Sequence, residues 1–410
     1  MRFIHTADLH LDSPFKGLAH LPEPLLKQIY QSSFESLRKI IDLAIEQQVD
    51  FILISGDLYD LDQRSLKAQL FLRKEFARLA EANIPVYIIH GNHDHLKGSW
   101  VSVNWTNNVH FFSSELECKR FVSSNGTSAH IYGFSYQERE IYERKIDQYK
   151  KIKGADFHIG MLHGQEHSIT GHNPYAPFHT KELEEKDFNY WALGHIHQRI
   201  QLKPTIFYPG NIQGRHRKET GKKGCLLVEI DETNEVHAEF YETAPLLWET
   251  LEISINNIQT HEQFLAYCEQ MIDERRNLKK SVMLHLQFTG EGPITELLEE
   301  KDQIEDWISH VNEDQDEEET FVWISSYDNK TEKKWDIHQL QQQDDFLGDI
   351  TRVTAGLMES SHDDVKEVLK ELYNHRKAKP FLEPLNDEDY EKLLEDGRDL
   401  IIKELLKEWS

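Results

Sequence analysis

Short apolar runs alternate with longer segments of helical periodicity over the first two-thirds of this chain. The runs predict strands at residues 3–7, 51–55, 86–90, 130–134, 158–162, 190–193, 206–208 and 225–230. Residues 25–48 and 65–82 repeat apolar side chains at helical spacing and predict helices between the strands. Several runs are nearly continuous in apolar residues, as expected for strands that are covered on both faces. The alternation predicts an α/β fold.

Five polar motifs follow five of the predicted strands. They read Asp-Leu-His at 8–10, Gly-Asp-Leu-Tyr-Asp at 56–60, Gly-Asn-His-Asp at 91–94, Leu-His-Gly at 162–164 and Gly-His-Ile-His at 194–197. The ligands of open α/β sheets gather at the carboxyl ends of the strands, where all five motifs lie. Each motif alone could be an ordinary loop, but the five together predict one site.

The motifs offer seven oxygen and imidazole ligands, enough to hold two metal ions. Asp8 and His10 are two residues apart, so at an extended strand end both side chains would point to one side. Asp57 has two carboxylate oxygens and can bridge two metal ions that lie about 3.5–4 Å apart. The predicted metal ligands are Asp8, His10, Asp57, Asn92, His163, His195 and His197.

The charges of this ligand set suit phosphoester hydrolysis. Two divalent ions bring four positive charges, and Asp8 and Asp57 return two negative charges. The residual positive charge can attract a phosphodiester and stabilise the charge that develops in the transition state. A water molecule at the metal ions becomes a nucleophile near neutral pH.

His93 is left without a metal beside the predicted ligand Asn92. Its predicted role is to stabilise the transferring phosphoryl group or to protonate the leaving oxygen, with Asp94 as the catalytic partner that orients it. Asp60 and His95 flank the predicted ligands and are candidates for contact with a ligand rather than with a metal.

A glycine-rich segment after the last predicted ligand, residues 208–224, carries five basic side chains. They are Arg215, Arg217, Lys218, Lys222 and Lys223. Contacts with nucleic-acid phosphates would explain this cluster. A solvated basic turn would explain it equally well, so both interpretations stay open.

The acidic residues are concentrated in the C-terminal part of the chain. The net charge is −26, and residues 249–410 carry 40 acidic and 18 basic side chains against 32 and 28 in residues 1–248. The part that bears the motifs is therefore nearly neutral. Because metal ions add further positive charge there, the overall acidity does not exclude a nucleic-acid partner.

The composition also favours a particular compartment. The three cysteines are scattered without a Cys-x-x-Cys pair, so we expect neither a disulfide framework nor a cysteine zinc site. The chain has no run of about eighteen apolar residues, and its first residues lead directly into a predicted strand. We therefore expect neither a transmembrane helix nor a signal peptide, and we expect a cytoplasmic protein.

The pattern changes near residue 245. A predicted helix at 261–274 lies among three predicted strands, at 251–255, 282–288 and 321–325. This arrangement indicates a small α+β domain. The acidic run at 313–319, between the last two strands, is expected to be a solvated loop.

The remainder of the chain is predicted to be helical. Helices are expected at 363–374 and 387–409, and Asn386 with Asp389 is expected to cap the second one. The second helix has an apolar stripe near 3.6-residue spacing. That stripe either docks on the rest of this chain or binds a helix of a partner protein.

The motifs resemble those of the calcineurin-like metallophosphoesterase superfamily, and within it the SbcD-type DNA-repair exonucleases, with the bacterial YhaO-type branch as the nearest match. The resemblance is firm over residues 1–230, and it rests on the residues at 6–14, 56–60, 91–94, 163–164, 194–197 and 208–215. It implies a metallophosphoesterase β-sandwich flanked by helices at 1–245, a capping domain at 246–340 and a helical segment at 341–410, a candidate for partner binding.

The same resemblance implies an activity and partners. It implies a manganese-dependent DNA exonuclease or endonuclease that acts in DNA repair with an SMC-like coiled-coil ATPase, and a homodimer formed through the N-terminal helices. Carried over by position, one metal site comprises Asp8, His10, Asp57 and His197. The other metal site comprises Asp57, Asn92, His163 and His195, and the position of the catalytic histidine is that of His93.

The chain departs from the resemblance at residue 60. Archaeal and eukaryotic relatives carry a second catalytic histidine where this chain has Asp60. The polarity and the product of cleavage are therefore not carried over to this chain.

Two other interpretations use the same residues. A phosphatase or cyclic-nucleotide phosphodiesterase of the superfamily would share the metal chemistry. Phosphoprotein phosphatases, however, typically read Gly-Asp-x-x-Asp-Arg-Gly, whereas Leu61 and Asp62 follow Asp60 here. A non-catalytic subunit that binds DNA ends or serves as a scaffold would be expected to have lost ligands, and no ligand is missing from this sequence.

Overall fold

The computed structural model describes residues 1–15, 17–18, 21–60, 65–98, 103–169, 175–332, 337–359, 362–375, 377, 382 and 385–407. The chain divides into two compact units, residues 1–290 with 294–331 and residues 291–293 with 332–410. The predicted domain boundaries near residues 245 and 340 stay predictions.

Two six-stranded sheets face each other in the first unit. Their strands are β1 (Arg2–Thr6), β2 (Phe51–Ser55), β3 (Val86–Ile89), β4 (Val109–Phe111), β5 (Glu117–Val122), β6 (Ser128–Gly133), β7 (Phe157–His163), β8 (Tyr190–Gly194), β9 (Ile200–Lys203), β10 (Ile206–Tyr208), β11 (Gly224–Ile230) and β12 (Val236–Glu242). One sheet has the order β12-β11-β1-β2-β3-β4 and the other β5-β6-β7-β8-β10-β9. Strands β1 to β4 are parallel, as are β6, β7, β8 and β10, while β5, β9, β11 and β12 run antiparallel to their neighbours.

Cores on both faces of the sheets explain the continuous apolar runs. Phe51 and Leu53 of β2 pack with Met161 of β7 in the core between the two sheets. Ile52 and Ile54 belong to a second core on the opposite face, which is covered by helices α1 (Glu23–Glu46) and α2 (Leu66–Glu81). Because successive residues of a strand point to opposite faces, the run from Phe51 to Ile54 in β2 has to be continuously apolar. The prediction of an α/β fold with helices that flank the sheets is confirmed.

The carboxyl ends of parallel strands from both sheets meet at one edge. At the end of β2, the Ser55 hydroxyl donates to the carbonyl oxygen of Ala192 in β8 at 3.0 Å. The Ser55 carbonyl oxygen accepts a hydrogen bond from Nδ1 of His163, the last residue of β7, at 2.9 Å. The loops that carry the five motifs therefore converge at this edge.

A three-stranded sheet follows the sandwich. After the short helix α3 (Thr180–Glu185) of the sandwich, the elements in chain order are β13 (Leu246–Ser254), α4 (His261–Arg276), β14 (Ser281–Glu291), α5 (Ile294–Glu299), α6 (Lys301–Val311) and β15 (Val322–Glu332). The sheet order is β13-β14-β15, and β13 is parallel to β14. Phe264 of α4 and Ile304 of α6 pack with Leu286 of β14 in one apolar cluster. The acidic run at 313–319 lies in turns between α6 and β15, as predicted.

The second unit is helical. Its helices are α7 (Ile337–Gln341), α8 (Phe346–Met358), α9 (Asp363–Asn374) and α10 (Asp387–Lys407). The predicted cap of α10 is confirmed, because the amides and side-chain oxygens of Asn386 and Asp389 pair reciprocally at 2.9 Å. The predicted helix extends to residue 409, and residues 408–410 lie outside the described residues. Helix α10 packs against α8, with Ile402 buried, while Leu393 and Ile401 are 43% and 46% exposed.

The sequence does not predict four of the strands, β4, β5, β9 and β12, and each of them is an edge strand of its sheet. Within the described ranges, no helix combines the length and the apolar character that crossing a membrane requires.

Candidate metal centre

The loops that follow β1 and β2 run side by side and carry three of the predicted ligands. The amide of Asp8 donates to the Gly56 carbonyl oxygen at 3.0 Å, and the amide of His10 donates to the Asp57 carbonyl oxygen at 3.0 Å. Asp8, His10 and Asp57 have φ values of 52°, 42° and 55°, in the left-handed region. The expectation of an extended strand end at Asp8 and His10 is wrong, because β1 ends at Thr6 and left-handed backbone at both residues aims their side chains instead.

The predicted ligands form two groups that share the Asp8 carboxylate. Asp8, His10 and His197 form one group, and Asp8, Asp57 and His163 form another, with the ligand atoms of each group within 4.8 Å of one another. Asp57 Oδ2 lies 3.7 Å from His10 Nε2 and 3.5 Å from His163 Nε2. The Asp57 carboxylate therefore stands between the groups, where a ligand that bridges two metal ions is needed.

The remaining predicted ligands complete these groups. Asn92 Oδ1 lies 3.0 Å from His163 Nε2 and 3.1 Å from His195 Nδ1. The Nε2 atoms of His10 and His197 are 3.1 Å apart. The structure thus brings all seven predicted ligands to one place.

Three of the imidazoles are oriented by hydrogen-bond acceptors through Nδ1. The pairs are His10 with Asp60 Oδ1 at 3.0 Å, His197 with Glu219 Oε1 at 2.6 Å and His163 with the Ser55 carbonyl oxygen at 2.9 Å. Carbonyl and carboxylate oxygens accept hydrogen bonds, so each Nδ1 carries a proton and each Nε2 faces the ligand groups. This is the usual arrangement of histidines that bind metals, and the set of carboxylates, amide and imidazoles fits two divalent ions.

Burial and charge shift the pKa values of the ligands in the metal-free protein. Burial lowers the pKa values of His10 and His197, which keeps both imidazoles neutral. Burial also opposes the protonation of His163, but the Asp57 and Asp8 carboxylates outweigh it and raise the pKa of His163 to about 9. His163 therefore carries an additional proton at neutral pH, and a metal ion has to displace it.

His93 lies beside the ligand groups, with its side chain 32% exposed. Its amide donates to Asp57 Oδ1 at 2.9 Å, and its Nδ1 lies 2.8 Å from Asp60 Oδ1. Burial opposes the protonation of this imidazole, but the hydrogen bond to Asp60 and the Asp57 charge outweigh it and raise the pKa of His93. A histidine held in this way is suited to donate a proton.

Asp94 does not orient His93, contrary to the expectation from the sequence. The buried Asp94 carboxylate accepts hydrogen bonds from the amides of Leu58 at 3.0 Å and Gly91 at 2.6 Å. These contacts join the loops that follow β2 and β3. The carboxylate that contacts His93 is Asp60, which comes from a different strand end and not from the next position in the chain.

Comparison with known proteins identifies the family. The family model described as "Calcineurin-like phosphoesterase" matches residues 1–199. A Bacillus subtilis protein named "Uncharacterized metallophosphoesterase YhaO" is 40% identical over 412 residues, which cover 99% of this chain and 98% of that protein. The chain belongs to the calcineurin-like metallophosphoesterases. This family uses a dinuclear metal centre, which the Asp and His groups fit.

More distant relatives of this metallophosphoesterase carry the name "DNA double-strand break repair protein Mre11". The protein from Methanocaldococcus jannaschii is 32% identical over 229 residues, 53% of this chain and 58% of its own length. The one from Saccharolobus solfataricus is 24% identical over 405 residues, 91% of this chain and 98% of its own length. Among solved structures, a dimetal phosphatase from Danio rerio has a TM-score of 0.35 and 12% identity, over 57% of this chain and 93% of that chain.

The basic side chains of residues 208–224 do not form one exposed patch on the metallophosphoesterase. Lys223 is buried, and its Nζ donates to the His197 carbonyl oxygen at 2.7 Å. The side chain of Arg215 is 18% exposed, and its Nη1 donates to Asp60 Oδ2 at 3.1 Å. The exposed members of the set are Arg217, Lys218 and Lys222. The interpretation of Lys223 as a nucleic-acid contact is therefore wrong, because its ammonium group stabilises the loop of the ligand His197.

Glu219 is a part of the centre that the sequence did not indicate. It is buried, accepts a hydrogen bond from His197 Nδ1 and accepts another from the Arg215 amide at 2.7 Å. It follows His197 by 22 residues and lies in no recognisable motif, so only the folded chain links the two. The prediction that His95 contacts a ligand stays a prediction.

A methyl group at Gly91 would collide with two ligands. Its Cβ would overlap Asp57 Oδ1 and would lie 2.7 Å from His163 Nε2. We expect Gly91→Ala to weaken metal binding by at least about tenfold, measured by calorimetric titration of the metal-depleted protein with Mn²⁺ as the probe. Gly397→Ala is the matched control, because a Cβ there meets open space on α10. Equal affinity in the two variants would contradict the assignment of Asp57 and His163 as ligands.

Metal binding is expected to release a proton from His163. Because its pKa in the metal-free protein is about 9, affinity should rise with pH up to that value, by about tenfold per pH unit for one proton. Titrations with Mn²⁺ at pH 7 in buffers of different ionisation enthalpy measure the proton count. The variant His163→Gln serves as the reference and should release about one proton less. An affinity that stays constant between pH 7 and pH 8.5 would argue against this ligand.

Proposed function

We propose that this chain is a two-metal-dependent DNA exonuclease that hydrolyses phosphodiester bonds in DNA repair. The observation that carries the proposal is the position of His93, which is held by Asp57 and Asp60 directly beside the seven ligands. The relatives named for DNA double-strand break repair support DNA as the substrate.

The metal ions and the surrounding side chains have separate roles in the proposed hydrolysis. Two divalent ions, Mn²⁺ in our proposal, supply an activated water and positive charge for the phosphodiester when bound. His93 donates a proton to the oxygen that leaves, and its raised pKa keeps that proton available near neutral pH. Asp60 holds His93 through Nδ1, so that Nε2 is the nitrogen that donates. The Asp57 carboxylate accepts a hydrogen bond from the backbone amide of His93 and thereby holds the proton donor in a fixed position relative to the ligands.

We propose that Arg217 and Lys218 contact the phosphates of a DNA strand. Both are exposed, and they lie in the loop that carries the Arg215 and Glu219 contacts to the centre. Arg217 Nη1 lies 3.5 Å from Nδ1 of His285 in β14, so this loop reaches the three-stranded sheet. Phosphate contacts of this kind position a nucleic acid without reading its sequence.

The partner in this proposal is an SMC-like coiled-coil ATPase that binds the second unit. Helix α10 exposes Leu393, Leu400 and Ile401, and helix α9 exposes Val368 and Leu372. Exposed apolar residues at helical spacing are suited to a partner's helix. Helix α10 packs against α8 and buries Ile402, while Leu393, Leu400 and Ile401 stay exposed.

The substrate class is tested with purified protein and Mn²⁺ on DNA ends, cyclic nucleotides and phosphopeptides. We expect hydrolysis of DNA, and His93→Ala should lower its rate by about 10²–10⁴ while metal binding is retained, because His93 is not a ligand. His310→Ala, which removes an exposed histidine of α6, is the matched control and should act like the wild type.

Turnover confined to cyclic nucleotides or phosphopeptides would replace the nuclease by another phosphoesterase of the family. DNA binding without hydrolysis of any substrate would identify a scaffold subunit instead. An undiminished rate in His93→Ala would remove the role assigned to this histidine.

The partner surface is tested by the double substitution Leu393→Glu with Ile401→Glu. We expect it to abolish co-purification with a co-expressed SMC-like ATPase and to leave hydrolysis of short DNA unchanged, because α10 lies outside the unit that holds the metal centre. Lys392→Glu on the same helix is the control for added negative charge. Retained co-purification would contradict the proposed surface, and an insoluble variant would assign the apolar stripe to packing within this chain.

A further inference from the structure

The Asp60 carboxylate accepts hydrogen bonds both from a metal ligand and from the proposed proton donor. Its Oδ1 accepts from Nδ1 of the metal ligand His10 at 3.0 Å and from Nδ1 of His93 at 2.8 Å. Its Oδ2 accepts from the Ser13 hydroxyl and from Arg215 Nη1 at 3.1 Å. Asp60 is mostly buried, with its side chain 17% exposed. One carboxylate therefore orients a metal ligand and the proposed proton donor together.

Glu219 likewise orients a metal ligand, His197. Its Oε1 accepts from Nδ1 of the metal ligand His197 at 2.6 Å. Its Oε2 accepts from the amide of Arg215 at 2.7 Å and from the side-chain amide of Asn211 at 2.9 Å. Glu219 is also buried, so its position is fixed by these contacts.

The guanidinium of Arg215 spans the two carboxylates. Nη1 donates to Asp60, and Nη2 lies 3.6 Å from Glu219 Oε1 and 3.4 Å from His197 Nδ1. Nη1 also donates to the Ser13 hydroxyl at 3.2 Å. Arginine is suited to this task because its planar fork presents several donors in fixed directions, which a lysine ammonium does not.

Arg215 also offsets part of the negative charge around the ligands. Asp60 and Glu219 add two negative charges outside the set of metal ligands. Arg215 returns one positive charge, and the Lys223 ammonium, 2.7 Å from the His197 carbonyl oxygen, returns another. The two carboxylates can therefore orient the imidazoles without cancelling the positive charge that two divalent ions bring to an anionic substrate.

We propose that Arg215 is a positioning residue that couples Asp60 to Glu219 and thereby fixes His10, His93 and His197 relative to one another. Its charge at the same time offsets the two carboxylates, so that the centre keeps its attraction for a phosphodiester anion. This inference rests on the proposed two-metal phosphodiesterase. The proposed role does not require Arg215 to bind phosphate directly, since Nη1 and Nη2 face carboxylates and Nε is buried.

The proposal predicts that two variants of Arg215 differ in their effects on kcat and KM. Arg215→Lys keeps the charge but loses the fork, so kcat for bis(p-nitrophenyl) phosphate with Mn²⁺ should fall about tenfold or more while KM stays within about twofold. Arg215→Gln loses both, so kcat should fall similarly and KM should rise several-fold. Arg120→Gln removes an exposed arginine on the edge strand β5 and is the matched control that should leave both constants unchanged.

A second readout does not depend on turnover. Because Asp60 and Glu219 orient two ligands of the same group, both Arg215 variants should bind one of the two Mn²⁺ ions about 10–100-fold more weakly than the wild type in calorimetric titration. The other site should be affected less. Thermal unfolding of the metal-depleted proteins checks that each variant is folded. If Arg215→Gln does not fold, the results for Arg215→Lys alone test the positioning role.

The outcomes separate this inference from the proposed function. Full recovery of kcat and metal affinity in Arg215→Lys would show that only a charge is required and would overturn the positioning role. Wild-type behaviour of both variants would remove Arg215 from the centre altogether. A wild-type protein that binds two Mn²⁺ ions but hydrolyses no phosphodiester would overturn the proposed function, while the metal titrations would still decide whether Arg215 couples the ligands.

Discussion

The metal centre depends on the junction that Ser55 makes between the two sheets. Its hydroxyl donates to the Ala192 carbonyl oxygen of β8, and its own carbonyl oxygen accepts from Nδ1 of His163. One residue thus joins the two sheets and orients a predicted metal ligand. The close approach also explains the glycines around it, since a Cβ at Gly194 would overlap the Ser55 carbonyl oxygen.

Burial makes the centre unfavourable in the absence of bound cations. Asp8 and Asp57 are about 1% exposed, and the cost of burying a carboxylate is several kcal/mol per charge in proteins. Burial raises the pKa of Asp8, whereas for Asp57 burial is outweighed by His163, which lowers the pKa. Backbone amides compensate part of this cost, because the His195 amide donates to Asp8 and the His93 amide to Asp57. The strained φ values in the ligand loops add to the cost, so the centre is an arrangement that bound cations would complete.

The sequence predicts the interior of this fold and not its margins. The eight strands that it predicts in the sandwich are the interior strands, whose two covered faces demand continuous apolar runs. The four that it misses are edge strands, where one side lacks a neighbour and polar residues are tolerated; Glu117–Val122, for example, is half-buried and carries three charged residues. The ligands are predictable for a related reason, since each lies at or just after the carboxyl end of an interior strand. Residues that orient the ligands are predictable only in part. Asp60 lies within one of the motifs and is a candidate from the sequence, whereas Glu219 lies in no motif and reaches His197 across the fold.

The identity of residue 60 alters the chemistry that the centre can perform. A histidine there, which the resemblance implies for archaeal and eukaryotic relatives, could itself face a phosphate as a donor. An ionised carboxylate can only accept hydrogen bonds and would repel a phosphate, so Asp60 turns toward His10, His93, Ser13 and Arg215. In the proposed reaction, proton donation to the leaving group therefore falls to His93 alone, and residue 60 orients this proton donor instead of contacting the substrate. The basic residue that compensates this carboxylate comes from the segment after the last ligand, which is why Arg215 belongs to the metal centre and not to an exposed nucleic-acid surface.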